Sequence, residues 1–109
     1  TLGLINMKLL IHGDLSTAQA REDLLLRSVA GLMRGDLKRG EVLRYLRKYV
    51  LKMNQADFAE LAKVSRRTLT QIESDSYGLN EDSLNRAFAI FGLKLGLVPM
   101  SAAHAEDIT

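Results

Sequence analysis

Apolar positions recur at helical spacing through most of the chain, and small polar residues cut the pattern into segments. Residues 1–13 hold Leu2, Leu4, Ile5, Leu9, Leu10 and Ile11 without a clean period, a pattern that admits a short strand. Asp14 or Ser16 is placed to cap a helix reaching Met33, with Leu25, Val29, Leu32 and Met33 as its apolar stripe and Gly35 as its stop. A second helix begins between Leu37 and Glu41. Val42, Leu43, Leu46, Tyr49 and Val50 form its stripe, and Arg44, Arg47 and Lys48 fall largely off it.

The next signals are the sharpest. Asn54 is positioned to accept from the amide of Asp57, and Met53 and Phe58 bracket that cap as a hydrophobic staple. This helix ends near Ala62, and Ser65 caps another running from Arg66 to about Ser74. Ser74 to Leu79 is polar, contains Gly78 and reads as a loop. Asn80 caps a last helix whose first turn carries Glu81 and Asp82, where negative charge suits the helix dipole. Its stripe is Leu84, Ala87, Phe88 and Phe91, and Gly92 stops it. Lys94 to Val98 alternates imperfectly before Pro99, as an edge strand does. Residues 101–109 are small and polar, the composition of a flexible tail. The pattern divides the chain into an N-terminal extension (1–36), a helical unit (37–93), a strand that is a candidate dimer seam (94–100) and a tail (101–109).

Charge sharpens this picture. The formal net charge is only +2. Yet Arg34 to Arg67 carries ten Lys/Arg against four Asp/Glu, a local +6, while the remainder sums to −4. A basic middle inside a near-neutral chain suits a face that meets phosphates, although a solvated helical surface has the same look. There is no cysteine, which removes disulfides and thiolate metal sites and agrees with a cytoplasmic address. No apolar run reaches the roughly 18 residues of a membrane span, and no signal peptide is expected at the start. His12 and His104 stand isolated, no acid or thiol cluster has ligand spacing, and no glycine-rich phosphate loop is present. An enzyme is therefore not expected, and neither a cofactor nor a metal is implied.

Gln55 to Glu73 is the segment that carries chemistry. Two helices of about eight residues are joined by a very short turn, with the small Ala59 placed for a close crossing. Phe58, Ala62, Val64, Leu69 and Ile72 supply apolar contacts between them. The second helix is otherwise polar, presenting Arg66, Arg67, Thr70 and Gln71. A helix moored at two apolar positions and polar elsewhere is suited to a DNA major groove.

In Gln55, Phe58-Ala59, Ala62, Val64-Ser65, Thr68-Leu69 and Ile72-Glu73, the chain resembles the Cro/phage-repressor (XRE-type) helix-turn-helix family. The likeness extends from Glu41 to about Leu93, with Leu43 to Lys48 similar to the family's first helix. Two features depart from it. Lys63 stands in the turn where the family usually has glycine, and the stretch from Leu46 to Gln55 is one residue longer than usual, which leaves the first helix's register open.

The resemblance implies an all-α fold, mainly a five-helix lambda-repressor-like DNA-binding domain, here with an added N-terminal helix and a short C-terminal strand. It implies a duplex-DNA-binding transcriptional regulator, a repressor acting as a homodimer on a palindromic operator. Gln55 would bind backbone phosphate at its helix N-terminus. Arg66, Arg67 and Gln71 would read bases. Ser65 and Thr70 would touch phosphate or a thymine methyl. Glu73 would pair with Arg47, or alternatively Arg44. The family also includes antitoxins and co-activator bridges, so a toxin or another protein partner is a second expectation.

Overall fold

The computed structural model describes residues 15–93. Among them are five α-helices, α1 (Ala18–Arg34), α2 (Arg39–Tyr45), α3 (Gln55–Ala62), α4 (Arg66–Glu73) and α5 (Glu81–Ala89), with a π-helical segment, Leu46–Leu51, continuing α2. The expected strands near the N-terminus and at Lys94 to Val98, the tail, His12 and His104 lie outside the described residues.

The local capping chemistry decides where four of the helices begin. Asn54 Oδ1 accepts from the Asp57 amide at 2.7 Å, Ser65 Oγ from the Thr68 amide at 3.0 Å, and Asn80 Oδ1 from the Asp82 amide at 2.7 Å. Each satisfies an N–H that the helix itself leaves without an acceptor. For α1 the cap is Thr17, whose Oγ1 accepts from the Ala20 amide at 3.0 Å, rather than Asp14 or Ser16. Arg21 accounts for part of the shift, since its guanidinium donates to the carbonyls of Leu15 and Ser16 and holds them outside the helix.

α2 is different. Its N-cap, Lys38, makes no side-chain capping bond. The acceptor comes instead from Asp75, beyond α4, whose Oδ1 takes the Gly40 amide at 2.7 Å. This brings the backbones of two helices into near contact. A Cβ added at Gly40 would lie 2.2 Å from the carbonyl oxygen of Ile72, so only glycine fits.

One core unites these elements: Leu24, Leu37, Val42, Leu43, Leu46, Phe58, Ala59, Ala62, Leu69, Ile72, Leu84, Ala87 and Phe88 are all buried. Phe91 stacks on Phe58 with ring centroids 5.9 Å apart, tying the end of α5 to α3.

Two expected faces are corrected. In α1 the fully buried positions are Leu24, Ser28 and Gly31, while Leu25 and Leu32 of the expected stripe are half-buried against the core, Val29 is half-buried and Met33 is exposed. The Ser28 hydroxyl is accommodated in the core by donating to the Leu24 carbonyl at 2.7 Å. Gly31 lets the Leu37 side chain close over the helix. In the second helix the π turn rotates the stripe after Leu46. Tyr49 is 42% exposed and stacks on Tyr45, while Arg47 turns inward and is buried. A π turn holds one more residue than an α turn, so it absorbs the extra residue seen between Leu46 and Gln55.

Gly40→Ala is expected to lower unfolding stability by about 1–3 kcal/mol, because Ile72 backbone, unlike a side-chain tip, cannot yield to the new methyl. Urea denaturation followed by circular dichroism measures this, and an unchanged midpoint would contradict the close approach.

Candidate nucleic-acid interface

α3 and α4 are joined by Lys63, Val64 and Ser65. Lys63 adopts φ 60°, ψ 43°, the left-handed conformation that glycine usually supplies. For a residue with a Cβ this costs about 1–2 kcal/mol. Part is offset because the Lys63 and Val64 amides take up the last carbonyls of α3, at Glu60 and Ala59. The turn is thereby as short as the sequence pattern requires, and the lysine side chain is exposed.

α4 is held by Leu69 and Ile72, both at most 1% exposed. At roughly 100° per residue the side opposite these two is centred on Arg67, with Thr70 and Gln71 beside it and Arg66 on the edge. Ser65, Arg66, Arg67 and Thr70 are exposed and Gln71 is half-buried. Ser65 and Thr70 are already engaged. Ser65 donates to Thr68 Oγ1 at 2.8 Å besides capping the helix, and Thr70 donates to the Arg66 carbonyl at 3.0 Å. The side chains of Arg66, Arg67 and Gln71 make no hydrogen bond among the described residues and so keep their donors for a ligand.

Beneath this face lies an ion pair. Arg47 Nε donates to Glu73 Oε2 at 2.7 Å and Nη2 to Glu73 Oε1 at 2.9 Å, a two-pronged bond with side-chain exposures of 8% and 4%. Arg47 Nη1 also donates to the Met53 carbonyl at 2.8 Å. One guanidinium thus joins the π turn, the entry to α3 and the end of α4. The other candidate, Arg44, is exposed.

Gln55 extends the network. Its Nε2 donates to Glu73 Oε1 at 3.1 Å, and its Oε1 accepts from Thr70 Oγ1 at 3.4 Å. Its amide therefore bridges the start of α3 to the middle of α4.

Above this network is an open cleft of about 400 Å³ lined by Arg44, Arg47, Lys48, Gln55, Thr70, Glu73 and Ser74. Since Arg47 and Glu73 neutralise each other, the charge it offers is that of Arg44 and Lys48. Lys48 Nζ lies 5.9 Å from the centre of the Tyr49 ring, which steadies it at the rim. Neither cleft lysine nor arginine was singled out from sequence as a ligand-binding residue. The available signal was their position off the α2 stripe, on the same side as Gln55 once the π turn is allowed for.

A buried pair bridging two short helices, a tight left-handed turn, and an outward polar helix beside a basic cleft define a helix-turn-helix DNA-binding domain. The helix-turn-helix family profile of the Cro/C1 type matches residues 43–98. The chain belongs to this XRE family of DNA-binding transcription regulators, which is not an enzymatic family. No curated protein and no solved structure matches it. Among the described residues, no helix is long and apolar enough to cross a membrane, and no group of three or more His, Cys, Asp or Glu is placed to hold a metal ion.

Glu73→Ala leaves the Arg47 guanidinium buried beside one remaining acceptor. It is expected to cost about 3–5 kcal/mol of unfolding free energy. Chemical denaturation measures the loss, and a cost below that of an ordinary exposed pair would show that the fork does not hold α4 in place.

Proposed function

We propose that the protein is a sequence-specific repressor that binds a palindromic operator as a homodimer, with α4 in the major groove and the cleft beside it seated on the phosphate backbone. The observation that carries this reading is the contrast within α4. Leu69 and Ile72 are sealed into the core, while Arg66, Arg67 and Gln71 point away from it with unspent donors. Arginine forks onto guanine O6 and N7 and glutamine onto adenine N6 and N7, each pairing contributing about 1–3 kcal/mol of discrimination. Arg67, at the outermost position of the helix, and Arg66 are the principal readers, and Gln71 reads further along the groove.

Arg44 and Lys48 take the phosphate side, with Gln55 at the cleft floor adding its amide and the positive end of α3. Ser65 and Thr70 serve first as cap and bridge, and they reach phosphate or a thymine methyl only by exchanging those bonds. One recognition helix spans few base pairs, so useful specificity calls for two half-sites about 34 Å apart on one face of the duplex. A bound dimer over a promoter represses by occupying the site that polymerase needs. Residues 37–93 form the reading unit in this proposal.

Fluorescence anisotropy on duplexes recovered by selection from a random pool tests the assignment. Arg66→Ala and Arg67→Ala are expected to weaken cognate binding by about ten- to a hundredfold and random-duplex binding far less. Arg44→Ala and Lys48→Ala are expected to weaken both equally and to reduce the salt slope by about one each. Equal losses on cognate and random DNA for both α4 arginine variants would contradict the assignment of α4 as the reader.

A further inference from the structure

Asp75 stands two residues past the end of α4, yet its carboxylate is committed to another helix. The Gly40 amide donates to Asp75 Oδ1 at 2.7 Å, and this gives α2 the cap that Lys38 does not supply. The turn that carries Asp75 is itself closed onto α4. The Asp75 amide donates to the Ile72 carbonyl at 3.0 Å, and the Ser76 amide donates to the Gln71 carbonyl at 3.1 Å. The carboxylate therefore moves with α4 and not with the loop that follows. The backbone of Asp75 sits at φ 56°, a conformation that glycine adopts without steric cost.

Together with the Arg47 fork, this bond ties the C-terminal end of α4 to the α2 run at two points. Gly40 and Arg47 are separated by about 10 Å along that run, at roughly 1.5 Å per residue. A helix held at one point can swing about it, and one held at two cannot. By the same rise, a swing of about 10° around Glu73 displaces the Arg66 end of α4 by about 2 Å and Gln71 by only about 0.5 Å. Hydrogen bonds to base edges tolerate a few tenths of an ångström, so the readers far from the pivot lose their aim first.

We propose that Asp75 is a positioning residue for base reading. Its bond to Gly40 fixes the angle of α4 against α2, and with it the aim of Arg66 and Arg67 relative to the phosphate contacts of Arg44 and Lys48. The inference rests on the DNA-reading assignment above and adds a residue that acts without touching the duplex. Arg44 lies on α2 between the two ties, so the ties set the spacing of cations and readers directly. Phosphate contacts made by long cationic side chains survive a tilt of α4, whereas forked contacts to base edges do not. Loss of the bond therefore removes discrimination rather than general affinity.

The test is fluorescence anisotropy on cognate and random duplexes, with circular dichroism to verify folding. Asp75→Gly removes the acceptor and relieves the backbone together, which releases α4 with least disturbance to the fold. Asp75→Asn removes the same charge but keeps an amide oxygen as acceptor, so it controls for any gain from losing a negative charge near phosphate. The readout is the ratio of cognate to random affinity. A smaller folded fraction lowers both affinities by one factor and leaves that ratio unmoved. Asp75→Gly is expected to lower the ratio about tenfold with the salt slope on random DNA unchanged, and Asp75→Asn to stay close to wild type. Arg67→Ala should weaken cognate binding less in the Asp75→Gly background than in wild type, because the aim of that side chain is already lost.

A wild type that binds all duplexes alike would overturn the DNA-reading assignment and this role with it. If wild type discriminates and Asp75→Gly does so equally well, the positioning role alone fails. It fails also if Asp75→Asn loses as much as Asp75→Gly. An unfolded Asp75→Gly would overturn it too, since the bond would then be a requirement of the fold and not an aligner of α4.

Discussion

The fork between Arg47 and Glu73 is the constraint on which the arrangement of the domain depends. Its worth is mostly conditional. Two charges withdrawn from water and well paired roughly break even against an apolar pair, but either one alone is heavily penalised. The pair therefore acts as a geometric lock: any packing of α4 that separates the two carboxylate oxygens from the guanidinium strands a buried ion. Because Arg47 also holds the Met53 carbonyl, and Glu73 also holds Gln55, the lock fixes α4 against α2 and against the entry to α3 together. The outward direction of Arg66, Arg67 and Gln71 is a consequence of that fixation, since helices this short have little stability of their own.

The second lock is Asp75. α2 lacks a side-chain cap of its own, and the acceptor arrives from Asp75, two residues past the end of α4. Asp75 holds φ 56°, an uncommon backbone conformation that aspartate tolerates better than most residues. Arg47 thus anchors one side of α4's C-terminal end, and the Asp75 to Gly40 bond anchors the other. Between them they leave α4 little freedom to pivot, which matters for a helix proposed to present several side chains to base edges at once.

Much of this was legible in the residues, and the reason is locality. Asn54, Ser65 and Asn80 cap the helices that follow them because each cap is decided within three residues. The left-handed turn at Lys63 was expected from the resemblance to the helix-turn-helix family, which usually has glycine at that position. What the pattern misplaced depends on contacts remote in sequence or on phase within an apolar run. Leu24, Leu25 and Leu26 stand consecutively, so periodicity alone cannot say which of them faces inward. The choice falls to Ser28 and Gly31, residues a hydrophobic pattern does not count. Asp75 as a cap for a helix 35 residues earlier leaves no local trace. The π turn was visible only as one residue too many, and its effect, burying Arg47 and exposing Tyr49, follows from three dimensions.

That one extra residue also connects the core to the working surface. Within five positions of the same helical run, Arg47 faces the interior while Arg44 and Lys48 face the cleft. A regular helix spaces i and i+4 on one side, as Arg44 and Lys48 are, and sets i+3 nearby. Widening the turn swings Arg47 away from that pair far enough to reach Glu73. The three cations then do different work with the same chemistry. One is desolvated and committed to a carboxylate, and two stay hydrated and available to phosphate.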